Sequence, residues 1–249
     1  MKVRRLWQKL SLGLLLTCLA VPALADTLPK KHSITLPLTF DNLVSRQLAY
    51  ALDIAYGALG IKVNYEQMPG PRALIESNAG RVDGELTRTS TVEESAPNLR
   101  RIDVPLSFFI ASAIVLKNSG PAPSSLDAVS KMPSVGIVRG LNTPEYLTRG
   151  WPNITSLASY GQALKMLQLG RIDVLLAGDE GARDAMKINH LNERDFEFHT
   201  IAKFPTFHYL HKSNEALVPQ VSAELMKFKG PHASVLDAVR AGAGANTRK

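Results

Sequence analysis

Three arginines, Arg72, Arg88 and Arg139, stand at or just beyond the expected ends of short strands. A guanidinium presents its donors in a planar fork that grips a carboxylate or phosphate. Closely after Arg139, Asn142-Thr143-Pro144-Glu145 reads as a helix start, with Thr143 as cap and proline at the first helical position. Free backbone N–H groups and the positive dipole end there suit the same anion. The expected clamp is therefore Arg72 and Arg88 from one side, closed by Arg139, Asn142 and Thr143 from the other. The competing reading of each arginine is a solvated surface residue. Phe40 directly follows the first expected strand and is the candidate for an apolar wall. Tyr65, Phe108 and Phe109 are further candidates, for which ordinary core packing competes.

A second chemistry rests on carboxylates. Glu85 and Asp179 can act as an acid–base pair if the fold brings them within reach. No Gly-x-Ser-x-Gly nucleophile motif occurs. His208 and His211 are spaced by three, but no third ligand stands at metal-site spacing, so neither a metal nor a cofactor is expected. Dispersed histidines of this kind are read as surface or partly buried residues. The one cysteine, Cys18, lies in the N-terminal apolar segment, so the rest of the chain has no thiolate nucleophile and no disulfide.

The elements that position these groups alternate between strand and helix. Strands are expected at 33–38, 61–66, 82–86, 102–105 and 111–116. A helix at 42–59 carries Val44, Leu48, Ala51, Leu52, Ala55 and Leu59 on one face, and a short one follows at 72–78. The run 117–125 (KNSGPAPSS) breaks the composition and reads as a hinge. Beyond it come a strand at 134–138, a helix from Thr143, and a capping box, Ser159 to Gln162, before a helix at 163–169. A strand at 172–176, a helix at 180–188, a strand at 196–202 and helices at 215–229 and 232–241 complete the pattern. Gly80-Arg81-Val82-Asp83 recurs as Gly170-Arg171-Ile172-Asp173, each time where a helix stops and a strand begins. That recurrence implies two similar α/β lobes with separate sheets and a ligand cleft at the carboxyl ends of the strands. Lobe one is expected at 26–117 plus 205–249 and lobe two at 118–204, with two crossings, near 117–119 and 202–206.

The first 25 residues read as a cleavable export signal. Lys2, Arg4, Arg5 and Lys9 precede an apolar run, 10–20, and Ala23-Leu24-Ala25 forms an A-x-A site. The run is shorter than the roughly 20 residues of a spanning helix. Thr17 and Leu16 before Cys18 argue against lipid attachment. The formal charge of +7 falls to +3 once the signal's four basic residues are set aside. With no Lys/Arg run interleaved with aromatics, nucleic acid is not an expected partner.

Arg72-Ala73-Leu74, Gly80 to Glu85, Val104-Pro105-Leu106, Val135 to Gly140, Glu145-Tyr146-Leu147 and Ala163-Leu164 through Asp173 carry a resemblance. The chain resembles the type II periplasmic solute-binding proteins, in extracellular solute-binding family 3, which includes the polar amino-acid receptors of ABC transporters. Within it, the pattern is similar to a stand-alone proteobacterial branch with Arg-Ala/Ser-Leu…Gly-x-x-Asp-Gly-Glu-x-x-Arg. The resemblance implies an α/β, two-lobed fold with two hinge crossovers. It implies capture of a small anionic or amino-acid-like ligand by a monomer, for ABC-type uptake through an inner-membrane permease or for a sensor receptor. A dehydratase-like enzyme on the same fold is the alternative. The family's carboxylate-gripping Arg would fall near Ser95, its Gly-Thr-Thr reads Gly140-Leu141-Asn142, and its ammonium-binding Asp would fall at Gly178, next to Asp179.

Overall fold

The computed structural model describes residues 32–246, with side chains through residue 242. In its first half the chain runs β1 (Ser33–Leu38), α1 (Leu43–Ala58), β2 (Lys62–Gln67), α2 (Gly70–Asn78), β3 (Gly84–Thr89), β4 (Leu99–Arg101) and β5 (Ser107–Leu116). It continues through α3 (Leu126–Ser130), β6 (Val135–Val138), α4 (Asn142–Leu147), β7 (Ile154–Leu157), α5 (Tyr160–Gln168), β8 (Val174–Gly178) and α6 (Asp179–Ile188). The last elements are β9 (Phe196–His211), α7 (Val218–Lys229) and α8 (Val235–Asn246). The expected export signal, its cut after Ala25 and Cys18 lie outside the described residues.

α1 shows how the pattern becomes structure. Leu48, Ala51, Leu52, Ala55 and Tyr56 recur at helical spacing and are buried. The Asn42 side chain accepts from the Ser45 N–H at 2.9 Å and starts the helix. Gly60, at φ 72°, ends it. This face packs with Ile34, Leu36, Ile102, Leu106 and Leu210, and with Val221, Leu225 and Val235 from α7 and α8. A second region of core flanks β6 and β8. Leu164, Leu167, Ile172 and Leu175 lie on one side, and Val129, Val135, Ile137 and Leu176 on the other.

The Gly-Arg-x-Asp recurrence is the same backbone device used twice. Gly80 (φ 73°) and Gly170 (φ 63°) take the left-handed position after α2 and α5. Arg81 N–H bonds Glu76 O at 3.0 Å and Arg171 N–H bonds Met166 O at 2.9 Å, each closing a Schellman turn. Asp83 N–H then bonds Thr35 O at 2.8 Å, and Asp173 N–H bonds Ser134 O at 3.0 Å. Each unit thereby delivers its next strand beside the start of an earlier one.

The strands form two sheets, and the larger one spans both expected lobes. β1 and β2 pair in parallel, while β3-β9-β5-β8-β6-β7 form one ladder, with β4 also on β9. Two long antiparallel strands, β5 and β9, make it continuous. β5 pairs with β9 from Ser107 onward and with β8 from Ala111, so the chain has joined the second core before residue 117. The expected hinge at 117–125 lies past the end of β5, with Asn118 at φ 63°. β9 runs nine residues beyond the expected end at 202. Pro205 lies inside this extension, although proline is uncommon in a central strand. In the structure it pairs with Phe108 just beyond the last β3 partner, Thr206, where β9 has β5 alone beside it. β7 and α3, four and five residues long, went unpredicted.

His208, expected near the surface, is fully buried. Its Nδ1 lies 2.6 Å from the Glu85 carbonyl, which only accepts, so Nδ1 carries the proton. Nε2 then accepts from the Tyr56 hydroxyl at 2.8 Å. Burial holds the ring neutral and lowers its pKa from 6.5 to about 4, against the opposing pull of the Glu85 carbonyl. An unfolded chain takes up a proton near pH 6.5 that the folded one refuses until pH is near 4. Stability is therefore complete above pH 6.5 and falls as pH drops toward 4, by about 3 kcal/mol from this residue. Urea unfolding at pH 7 and at pH 4.5 should show that loss, and His208→Gln should flatten it. An unchanged pH slope in the variant would assign the loss to other groups.

Candidate functional site

The carboxyl ends of β1, β3, β6 and β8 converge on one cleft. It encloses about 1210 Å³, counting the open solvent at its mouth. The β1–α1 turn supplies Pro37, Thr39, Phe40 and Asn42, and β3 supplies Glu85 through Thr89. β5 and β9 make the floor with Ser107 to Ile110 and Thr206. Opposite stand Leu141 to Pro144 at the start of α4, Tyr160, and Gly178 to Gly181 at the start of α6. Ligands in α/β sheets bind at such strand ends because the loops there are free to vary while the sheet holds them.

Direct bonds span the cleft. Thr89 Oγ1 and Thr143 Oγ1 are 2.8 Å apart and buried. Asn42 Nδ2 donates to Asp184 Oδ2 at 2.9 Å, and Arg149 Nη1 to Glu94 Oε2 at 3.2 Å on the exposed rim. A Cβ on Gly140 would come within 2.3 Å of Pro71 Cγ, so the absence of a side chain there permits the two walls to approach.

Of the expected residues, Phe40, Glu85, Arg88, Asn142, Thr143 and Asp179 line this cleft, whereas Arg72 and Arg139 are not among its lining residues. Arg72 sits in the first turn of α2 with an exposed side chain, 3.9 Å from Glu76 along the helix. Arg139 is exposed just past β6, where its N–H bonds Leu157 O. Strand-end position is shared by all three arginines, but only Arg88 points inward. Its Nε bonds Glu85 Oε2 at 3.0 Å and its Nη2 bonds Gly70 O at 3.1 Å. Thr143 lies inside α4 instead of capping it. Phe108 and Phe109 join Phe40 on the cleft wall, while Tyr65 packs on the first core and donates to Ala49 O at 2.9 Å.

Polar atoms without partners gather here. Glu85 Oε1, Thr87 Oγ1 and Asp179 Oδ1 are buried and unpaired, and all three residues line the cleft. Glu85 itself is 1% exposed. Sequence reasoning missed Thr87, Thr89, Tyr160 and Glu180. It also missed what Gly178 and Gly181 do. A Cβ on Gly178 would meet the Phe109 ring at 2.5 Å, and one on Gly181 would meet the Tyr160 ring at 2.5 Å. The two glycines flank Asp179-Glu180, so an aromatic ring packs on the backbone at each end of that acidic pair. The spacing Gly-Asp-Glu-Gly was the available signal. Burial pushes the Glu180 carboxyl up, opposed by Arg240 and reinforced by Asp184 and Asp179. Burial likewise raises the Tyr160 phenol. Among the described residues no cluster of His, Cys, Asp or Glu has metal-binding geometry.

No family model matches the sequence, and no curated protein matches it. Solved structures do. An amino-acid ABC transporter substrate-binding protein from Streptococcus pneumoniae, bound to L-arginine, has a TM-score of 0.63 at 17% identity, over 84% of this chain and 95% of its own. A histidine kinase sensor domain similar to periplasmic binding proteins gives 0.65 at 16%, over 86% and 96%. Another Streptococcus pneumoniae uptake-transporter binding protein, holding histidine, gives 0.61 at 15%, over 79% and 87%. The chain therefore has the two-lobed periplasmic-binding-protein fold.

Arg88 is expected to matter first for folding. Arg88→Ala leaves the Glu85 carboxylate buried without its counter-charge, a change that costs about 3 kcal/mol or more. Arg88→Lys keeps the charge but cannot bridge Glu85 and Gly70 O together, and should recover only part. Adding Glu85→Gln to Arg88→Ala should restore most of the loss in urea unfolding. Equal stability of wild type and Arg88→Ala would mean that the ion pair contributes nothing.

Proposed function

We propose that this protein is a periplasmic solute-binding protein that captures a small organic molecule in its cleft. The observation that carries the reading is the set of unpaired buried polar atoms, Glu85 Oε1, Thr87 Oγ1 and Asp179 Oδ1, on residues that line one cleft bounded by both cores. Unpaired buried polar groups are costly, and a ligand that pairs with them offsets that cost. The fold favours the same use, since a cleft between two cores closes around a ligand by hinge motion. The lobes would be crossed twice, within β5 and within β9. The proposed site comprises Phe40, Glu85, Arg88, Asn142, Thr143 and Asp179, with Thr87 and Tyr160 added.

Export follows from the basic, apolar and A-x-A segments of residues 1–25, with cleavage after Ala25. Delivery to an ABC permease fits the substrate-binding proteins among the similar structures. Delivery to a membrane sensor fits the histidine kinase sensor domain. Binding rather than catalysis is favoured because Glu85 is engaged by Arg88 and, among the described residues, no nucleophile–base pair lines the cleft.

A thermal-shift screen across amino acids, amines, small carboxylates and sugars tests the reading. At 100 times its dissociation constant, a ligand adds about 2.7 kcal/mol of stability, which raises the midpoint by several degrees. A screen in which no small molecule shifts the midpoint would sink it.

A further inference from the structure

We infer that the ligand is an organic amine without an α-carboxylate, recognised through its positive charge; this rests on the solute-binding reading above. The unpaired atoms decide the sign. Glu85 Oε1 and Asp179 Oδ1 are ionisable acceptors, buried and without donors. What completes them is a group rich in N–H, and a primary ammonium supplies three and a substituted guanidinium five. Glu85 is almost wholly buried and lines the cleft, so its free oxygen is not solvated from elsewhere.

The anion-binding capacity is largely spent inside the protein. Among the described residues Arg88 is the one basic residue lining the cleft, and it already serves Glu85 Oε2 and Gly70 O. Glu85, Asp179 and Glu180 also line it, three acids against one arginine among the described lining residues, with Lys203 on Phe108 and Arg240 near Glu180 as the cations beside them. A carboxylate entering this cleft finds its lining arginine already engaged, whereas a cation meets acceptors that lack donors.

The aromatic groups point the same way. Phe109 and Tyr160 pack on Gly178 and Gly181, at either end of the Asp179-Glu180 step. Ring faces beside carboxylates attract a desolvated cation through the ring quadrupole. Phe108 shows the preference within the protein: the Lys203 ammonium lies 4.0 Å from its ring centroid.

The test compares molecules that differ only by the α-carboxylate. Calorimetry at neutral pH is run with agmatine against arginine and with cadaverine against lysine. Each decarboxylated member is expected to bind at least 10-fold more tightly than its amino acid, and acetate should not compete. Asp179→Asn should weaken amine binding 10-fold or more, and Glu85→Gln should do the same. Glu85→Gln also frees Arg88 and can impair folding, so the Asp179 variant, checked by circular dichroism, carries the comparison. Tighter binding of the amino acids overturns the amine assignment and leaves solute binding standing. So does binding of none of the four when the wider screen yields another ligand. Amine binding that Asp179→Asn leaves unchanged places the charge elsewhere and overturns the site.

Discussion

The antiparallel pairing of β5 with β9 is the constraint that the rest of the molecule inherits. β9 pairs with β3 and β4 toward its end, and β5 pairs with β8 from Ala111 onward. The same two strands therefore belong to the ladder beside both cores. Where they pass between the cores, at 108–110 against 203–205, neither has its outer neighbour, and at the edge of that strip the Ser107 and Thr206 hydroxyls stand 2.7 Å apart. A two-stranded ribbon takes a stronger twist than a wide sheet. The cleft opens above that ribbon because two packed bodies meet at a strip only two strands wide.

The chemistry of the cleft follows from how its polar groups are desolvated. β3 enters the sheet with Glu85 under His208, whose ring is held neutral by burial and bonds the Glu85 backbone. That contact fixes the strand while the Glu85 side chain turns to Arg88. The ion pair is internal, and its cost in lost hydration is met by a good geometry and by the Gly70 carbonyl. Across the cleft, Asp179 opens α6, in the first turn where a carboxylate is favoured by the helix dipole. The flanking glycines let aromatic rings replace water around it. The bridging Thr89 and Thr143 hydroxyls both also reach Thr91 Oγ1, at 2.7 and 3.4 Å.

Reading the chain in order succeeded where the signal was local. The helix cap at Ser159 and the glycines at 80 and 170 appear in the structure as a cap and left-handed turns. The capping box is looser than the motif suggests, since Gln162 reaches the Ala158 N–H instead of the cap residue. Reading failed where a residue's effect depends on its neighbours in space. The strand expected to stop at 202 continues as β9 through Pro205, because one side of the ribbon is unpaired there. His208 looked dispersed, yet it is enclosed by residues from α1 and β3.

By itself the sequence determined the alternation of strands and helices, the doubled Gly-Arg-x-Asp device and hence the two-lobed α/β class. These rest on hydrophobic period and backbone conformation, which act over a few residues. Only the tertiary structure decided which charges face the cleft. Arg72, Arg88 and Arg139 share a sequence context, but Arg88 alone is drawn inward, because Glu85 and Gly70 O lie within its reach and Arg72 finds Glu76 on its own helix. Burial and the loss of hydration depend on partners far apart in the chain. Whether a carboxylate oxygen such as that of Asp179 is paired or left for a ligand is therefore settled by packing.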